Sequence, residues 1–135
     1  MSNALFDKGR EGFLDGSIDW DTDSIKLVLV DHGVDTPVVA TDANLSDIAA
    51  GARIATSAAF AGKTVTAGVA DATDPTISAV SGASVESLVI YKDTGTDSTS
   101  RLIAFIDTAT GLPFTPNGGD VTVQFDNGTN RIFKL

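Results

Sequence analysis

The segment DWDTDSIKLVLV holds the side chains best suited to binding a metal ion. Asp19, Asp21 and Asp23 alternate as the first three ligands of a calcium-binding loop do. Such a loop has a glycine at its sixth position for a sharp turn and a bidentate glutamate at its twelfth. Here those positions hold Ser24 and Val30. The pattern therefore favours an acidic turn, with Trp20 packed beneath it, over a calcium site.

Side chains for nucleophilic catalysis are scarce. The chain has no cysteine, and its single histidine, His32, follows a predicted strand, where we expect a solvated loop residue. No serine stands in a G-x-S-x-G context. The stretch TPNGGD (Thr115–Asp120) lacks the lysine and the following helix of a phosphate-binding loop.

Glycoside hydrolysis by two carboxylates stays open at this point, because the fold sets the distance between them. A hydrolase cleft usually carries several aromatic platforms, however, and the chain has one Trp and one Tyr. We therefore expect a protein that is not an enzyme and that has no cofactor.

Composition narrows the class of partner. The 135 residues are enough for one sizeable core, and 42% of them are hydrophobic, which argues against disorder. The 18 acidic residues outnumber 9 basic ones that are scattered along the chain, whereas nucleic-acid binding requires clustered cations. No apolar run approaches the ~20 residues of a membrane helix, and the N-terminal residues do not resemble a secretory signal. We expect no nucleic-acid or membrane partner, and synthesis in a reducing cytoplasm.

Residues 1–16 predict an N-terminal helix, capped by Ser2 or Asn3 and ended by Gly16. At 100° per residue, one face of this helix collects the apolar and small residues Leu5, Phe6, Gly9, Gly12 and Phe13. The two interior glycines cost about 1 kcal/mol each relative to alanine, so another element must press closely against them. Packing on the chain's own sheet is the favoured interpretation, and docking on a neighbouring subunit is the alternative.

Residues 24–135 predict strands, with one short helix near 42–50 that Thr41 or Asp42 caps and Gly51 ends. Three segments are apolar at odd and even positions alike, which is typical of strands covered on both faces: SIKLVLVD, VESLVIYKD and RLIAFID. Further strands are predicted at TPVVA, ARIATSAAF, KTVTAGVAD and TISAVS.

The segment DVTVQFD alternates strictly, with Val121, Val123 and Phe125 expected to face inward. The DNG sequence after it predicts a tight hairpin turn into NRIFKL. Strands at about ten-residue spacing predict one domain over residues 1–135. Its expected fold is mainly β: an antiparallel β-sandwich or jelly-roll-like barrel with a short N-terminal α-helix.

Two stretches resemble a family of small structural proteins of tailed bacteriophages: NALFDKGREGFLDGSIDWDTDSIKLVLVD, and the 48 residues from LVIYKD to NRIFKL. Members of that family open with an "NALYDKGREGFL"-like helix and close with an "IDTATGLPVTPNGGDITI"-like segment. Phe6 and Phe125 stand where Tyr and Trp are expected, which are conservative changes. The resemblance implies a component of the phage particle, made in the host bacterial cytoplasm. It transfers no catalytic residue.

Within a particle, an acidic protein suits the outer capsid surface better than the DNA-filled interior. We therefore expect a capsid decoration (cement) protein that binds the major capsid protein and forms a homo-oligomer, a trimer before a dimer. The candidate partner contacts are Leu5, Gly9, Gly12, Leu112, Pro113 and Phe114. For the loop tip formed by Leu112, Pro113 and Phe114, two interpretations are equally favoured: a contact with a partner, or a loop folded back over its own sandwich. The alternative functions are a tail, neck or fibre-attachment module, or a glycan-binding β-sandwich that would use Trp20 and Tyr91.

Overall fold

The computed structural model describes residues 3–129 and 131–135. Its helix is α1 (Asp7–Asp15). Its strands are β1 (Ala4–Leu5), β2 (Ile25–Val30), β3 (Arg53–Thr56), β4 (Thr64–Thr66), β5 (Val69–Asp71), β6 (Thr76–Ile77), β7 (Ser87–Lys92), β8 (Leu102–Ile106), β9 (Val121–Thr122) and β10 (Phe133–Lys134). Every strand pairing is antiparallel. The predicted fold class, mainly β and sandwich-like with a short N-terminal helix, is confirmed.

The main sheet has the strand order β1-β8-β7-β2-β3. Its centre is the pair β2 and β7, which run in register from Ile25 opposite Lys92 to Val30 opposite Ser87. These strands and β8 come from the three segments that are apolar on both parities, so that prediction is confirmed.

Two hydrophobic cores lie on the two faces of the main sheet. Ile25, Leu27 and Leu29 of β2 pack into the first core, beneath the small sheets β10-β5-β4 and β6-β9. Val28 and Val30 pack into the second core, under the connection between β2 and β3. Successive side chains of one strand point to opposite faces of the sheet and so enter different cores. Because both cores are apolar, the strand is apolar at odd and even positions alike.

The N-terminal helix is shorter than predicted. Phe6 precedes α1, and residues 4–5 form β1 along β8. Asn3 does not cap the helix, because its side chain binds the end of β8: Oδ1 accepts hydrogen bonds from the backbone N–H groups of Asp107 and Thr108, each at 2.9 Å. Ser2 lies outside the described residues. Gly16 ends the helix as predicted, with a φ of 81°.

The predicted helix near 42–50 is two short 3₁₀ turns, Leu45–Asp47 and Ala50–Ala52. Asp47 holds the first turn, since its Oδ2 accepts from the backbone N–H of Ala43 at 2.8 Å and of Asn44 at 3.0 Å. These two bonds lower the pKa of Asp47. The segment TPVVA is not a strand, since its first three residues have no regular structure and its last two lie in a turn.

The predicted C-terminal hairpin is wrong. β9 pairs with β6, and β10 pairs with β5. A type I′ turn requires positive φ at both central residues, and the positive φ values among the described residues do not include Asn127 or Gly128. Asn130, the first residue of the predicted strand NRIFKL, lies outside the described residues. The two-residue turn forms instead between β4 and β5, at Ala67 (φ 53°) and Gly68 (φ 77°).

Candidate partner-binding surface

A wide depression among the described residues, which we call the main groove, has a volume of about 1060 Å³. It lies between β1 with the end of β8 on one side and residues 120–127 and 131–134 on the other. Aliphatic and aromatic side chains from both sides line it together with polar ones such as Arg10 and Gln124. Three predicted contacts, Leu5, Leu112 and Phe114, meet in this groove.

The loop that carries Leu112, Pro113 and Phe114 folds back onto the sandwich. Phe114 exchanges two backbone hydrogen bonds with Val85, at 2.8 and 3.1 Å. Leu112 and Phe114 are half-buried against the first core, whereas Pro113 is exposed. The interpretation of a loop closing its own sandwich is therefore the one observed, although both half-buried side chains still border the main groove.

Gly9 and Gly12 are buried within the subunit and form no partner surface, which corrects their assignment as candidate contacts. A Cβ on Gly9 would lie 2.6 Å from the carbonyl oxygen of Leu102 and 2.9 Å from Cα of Ile103, both backbone atoms of β8. A Cβ on Gly12 would lie 2.4 Å from Cδ1 of Ile18. The glycine face therefore packs on the chain's own sheet, as the favoured interpretation held.

The acidic turn before β2 is held by internal bonds. The Asp23 carboxylate accepts from the backbone N–H of Asp19 at 2.7 Å and pairs with the Lys92 ammonium at 3.1 Å. A hydrogen bond with Asp19 raises the pKa of Asp21. Trp20 lies beneath the turn as predicted, and its Nε1–H donates to the carbonyl oxygen of Asp71 at 3.0 Å. Among the described residues, no group of His or acidic side chains has the geometry of a metal site.

His32 is not the solvated loop residue that we expected. Its ring stacks on Phe105 with centroids 6.0 Å apart, and its Nε2 lies 2.8 Å from Oγ of the buried Ser87. Its backbone N–H donates to the Glu86 carboxylate at 2.9 Å. The histidine therefore stabilises the edge of the second core, a role that a single sequence position gave no means of detecting.

A second, smaller depression was missed entirely by the sequence analysis. This apolar groove has a volume of about 300 Å³ and lies between the end of α1 and the β10-β5-β4 sheet. Phe13, Trp20, Val65, Phe133 and Leu135 are among its lining residues. One indication was present in the sequence: Leu14 interrupts the polar face of the helix, three residues after Glu11 and seven after Asp7.

Comparisons with known proteins leave the family open: no protein-family model matches the chain, and no curated protein matches it. No helix among residues 3–129 and 131–135 is long and apolar enough to cross a membrane.

Proposed function

We propose that the protein is a structural component of a bacteriophage particle, a decoration protein that binds the outer capsid and stabilises contacts between major capsid subunits. The observation that carries this proposal is the composition of the main groove. Every described residue that lines it belongs to one of the two stretches that resemble phage structural proteins, residues 3–31 and 88–135. Open grooves with apolar and polar lining are the usual place for a partner segment to bind.

The distribution of charge supports an outer-surface location. Eight of the nine basic residues donate to carboxylate or carbonyl oxygens of the chain itself: Lys8, Arg10, Lys26, Arg53, Lys63, Lys92, Arg101 and Arg131. The Lys26 bond, for example, lowers the pKa of Asp93. The excess negative charge therefore faces outward, and packaged DNA would repel it.

The glycan-binding alternative loses its candidate residues. A sugar-binding platform needs exposed aromatic rings, and both Trp20 and Tyr91 are buried, each with 3% of its surface exposed. The tail, neck or fibre-attachment alternative differs from decoration chiefly in the number of copies per particle.

The first experiment is the copy number in purified particles, measured by quantitative mass spectrometry against the major capsid protein. A ratio near one to one, or a simple fraction such as one third, supports decoration. Copies in the tens or fewer favour the tail or neck, and absence from particles overturns the proposal.

The second experiment addresses the main groove. Thr110 is exposed and lines it, so Thr110→Arg introduces a bulky charge with little effect on the core. We expect about tenfold weaker binding to undecorated heads, equivalent to roughly 1.4 kcal/mol. Thr96→Arg is the matched control, since Thr96 is exposed and lies outside the groove. Equal binding of the two variants would contradict the assignment of the groove.

A further inference from the structure

The most exposed large apolar side chains of the described residues are concentrated at the apolar groove. Five such side chains are strongly exposed, and two of them, Val65 and Leu135, line this groove. A third, Leu14, is 88% exposed and lies between Phe13 and Gly16, in a helix turn that borders the groove. Apolar surface concentrated in this way is typical of an interaction site.

Leu14 and the groove have complementary shapes. Leu14 protrudes from the helix, whereas the groove beside it is a depression of about 300 Å³. An apolar cavity of about 150 Å³ already accommodates a benzene molecule, so the groove has room for a leucine side chain. Because Leu14 lies outside its own groove, it can fill only the groove of another molecule.

The charges around Leu14 favour a second copy of the same chain as that molecule. The outer face of α1 carries Lys8 and Arg10 with Asp7, Glu11 and Asp15, a surplus of one negative charge out of the nine on the chain. Lys8 pairs with Glu11 at 3.0 Å and Arg10 with Asp7 at 3.5 Å, so both signs alternate along the helix. Two such faces can approach with little repulsion and exchange ion pairs, which the rest of this acidic surface does not allow.

We propose that the outer face of α1 and the apolar groove together form an interface between copies of this chain, with Leu14 of one copy in the groove of the next. Reciprocal exchange gives a two-fold dimer, and insertion in one direction gives a closed ring. The interface borders the main groove at Arg10 and Phe133, but Leu14 and Val65, which the test changes, lie outside that groove.

The test is the molar mass of the protein by sedimentation velocity, over about 1 µM to 1 mM, the range in which modest interfaces dissociate. We expect the mass of two or more chains for the native protein. Leu14→Asp and Val65→Asp are expected to weaken association by about tenfold or more.

Val34→Asp is the matched control, because Val34 and Val65 have the same exposure, 56%, and Val34 lies outside the groove. We expect it to associate as the native chain does. A native protein that stays monomeric, or equal weakening by the Val34 and Val65 substitutions, would overturn the proposal.

The position of Leu14 is tested by crosslinking, which the absence of cysteine makes specific. A mixture of Leu14→Cys and Val65→Cys chains is expected to form a mixed disulfide under mild oxidation, whereas Leu14→Cys with Val34→Cys is not. Association without the Leu14–Val65 crosslink would place the interface elsewhere. If Thr110→Arg loses binding to capsid heads but keeps the molar mass of the native protein, the result concerns the main groove and leaves the interface between copies unaffected.

Discussion

Tyr91 has its phenol group in the interior of the second core, close to acidic side chains. Burial is the main cause that raises its pKa, to about 12, and the negative charge of Asp93 adds to the effect. A hydrogen bond with the Thr56 side chain opposes the shift. The folded state therefore retains the phenol proton at a pH at which the unfolded chain has begun to release it.

The pH dependence of stability follows from this difference. Because the pKa is higher in the folded state, the stabilisation is fully present below the unfolded value of about 10 and is lost as pH rises to about 12. We expect the free energy of unfolding of the native protein to fall by roughly 2 to 3 kcal/mol across this range. The free energy of unfolding of Tyr91→Phe, measured by urea denaturation at each pH, is expected to fall less over the same pH range. Parallel pH profiles of the two proteins would contradict this account.

Individual residues were predictable where the surrounding pattern was strong. Trp20 is the one large apolar residue within the acidic turn that precedes a buried strand, so its position beneath the turn could be predicted from this pattern. His32 could not be placed, because its partners Phe105 and Ser87 are 73 and 55 positions away along the chain. Long-range contacts of this kind leave no local trace in a sequence.

The docking of α1 on β8 shows how small residues determine the position of an element. A methyl group on Gly9 would meet the β8 backbone, which cannot move without disturbing the main sheet. A methyl group on Gly12 would meet the end of the Ile18 side chain, which can rotate.

We therefore expect Gly9→Ala to destabilise the protein by about 1–3 kcal/mol, the usual cost of overpacking. Both variants gain about 1 kcal/mol in helix propensity, and we expect Gly12→Ala to cost less because the end of the Ile18 side chain can move away whereas the β8 backbone cannot. The urea midpoints of the two variants test the difference. A Gly9→Ala protein as stable as Gly12→Ala would show that the helix is not in close contact with β8.

At the level of elements, the long apolar strands were predictable and the short terminal ones were not. β2 and β7 are each six residues long and mostly apolar, which is enough to determine the register in which the two strands pair. The C-terminal hairpin failed because the local turn preference of DNG was weaker than an aromatic cluster: the Phe133 ring contacts Trp20 at 5.3 Å and Phe13 at 5.7 Å. Pairing β10 with β5 makes those contacts possible, and no local pattern indicates them.

At the scale of the whole molecule, the net charge of −9 opposes compactness. Most cations are already paired within the chain, so the remaining carboxylates repel one another over distances that salt screens.

We therefore expect the free energy of unfolding to rise by about 1 kcal/mol between low salt and physiological salt, a magnitude typical of a few surface charge interactions. Urea midpoints in about 10 mM and 150 mM NaCl measure this change. Asp126→Lys, at an exposed position, is expected to reduce the salt dependence. A midpoint that falls with added salt would contradict the argument.

The candidate surface was predictable only in part. Leu5, Leu112 and Phe114 were found because apolar residues in terminal and loop segments need cover. The groove that unites them depends on where residues 120–127 and 131–134 lie on the sandwich, which follows from the unpredicted pairings of β9 and β10. A small-residue face does not reveal what presses against it, which is why a partner contact stayed an alternative for Gly9 and Gly12 although packing on the chain's own sheet was favoured.

The acidic turn before β2 has a consequence during synthesis. In the main sheet Ile25 of β2 pairs with Lys92 of β7, so β2 emerges from the ribosome long before β7. At about 5–20 residues per second, the strand IKLVLV waits for several seconds for β7, and of its two neighbours only β3 is made sooner. Unpaired apolar strands of six residues are prone to aggregate, and flanking charges oppose this. We therefore expect Asp19, Asp21 and Asp23 on one side and Asp31 on the other to oppose aggregation of the nascent chain until β7 arrives.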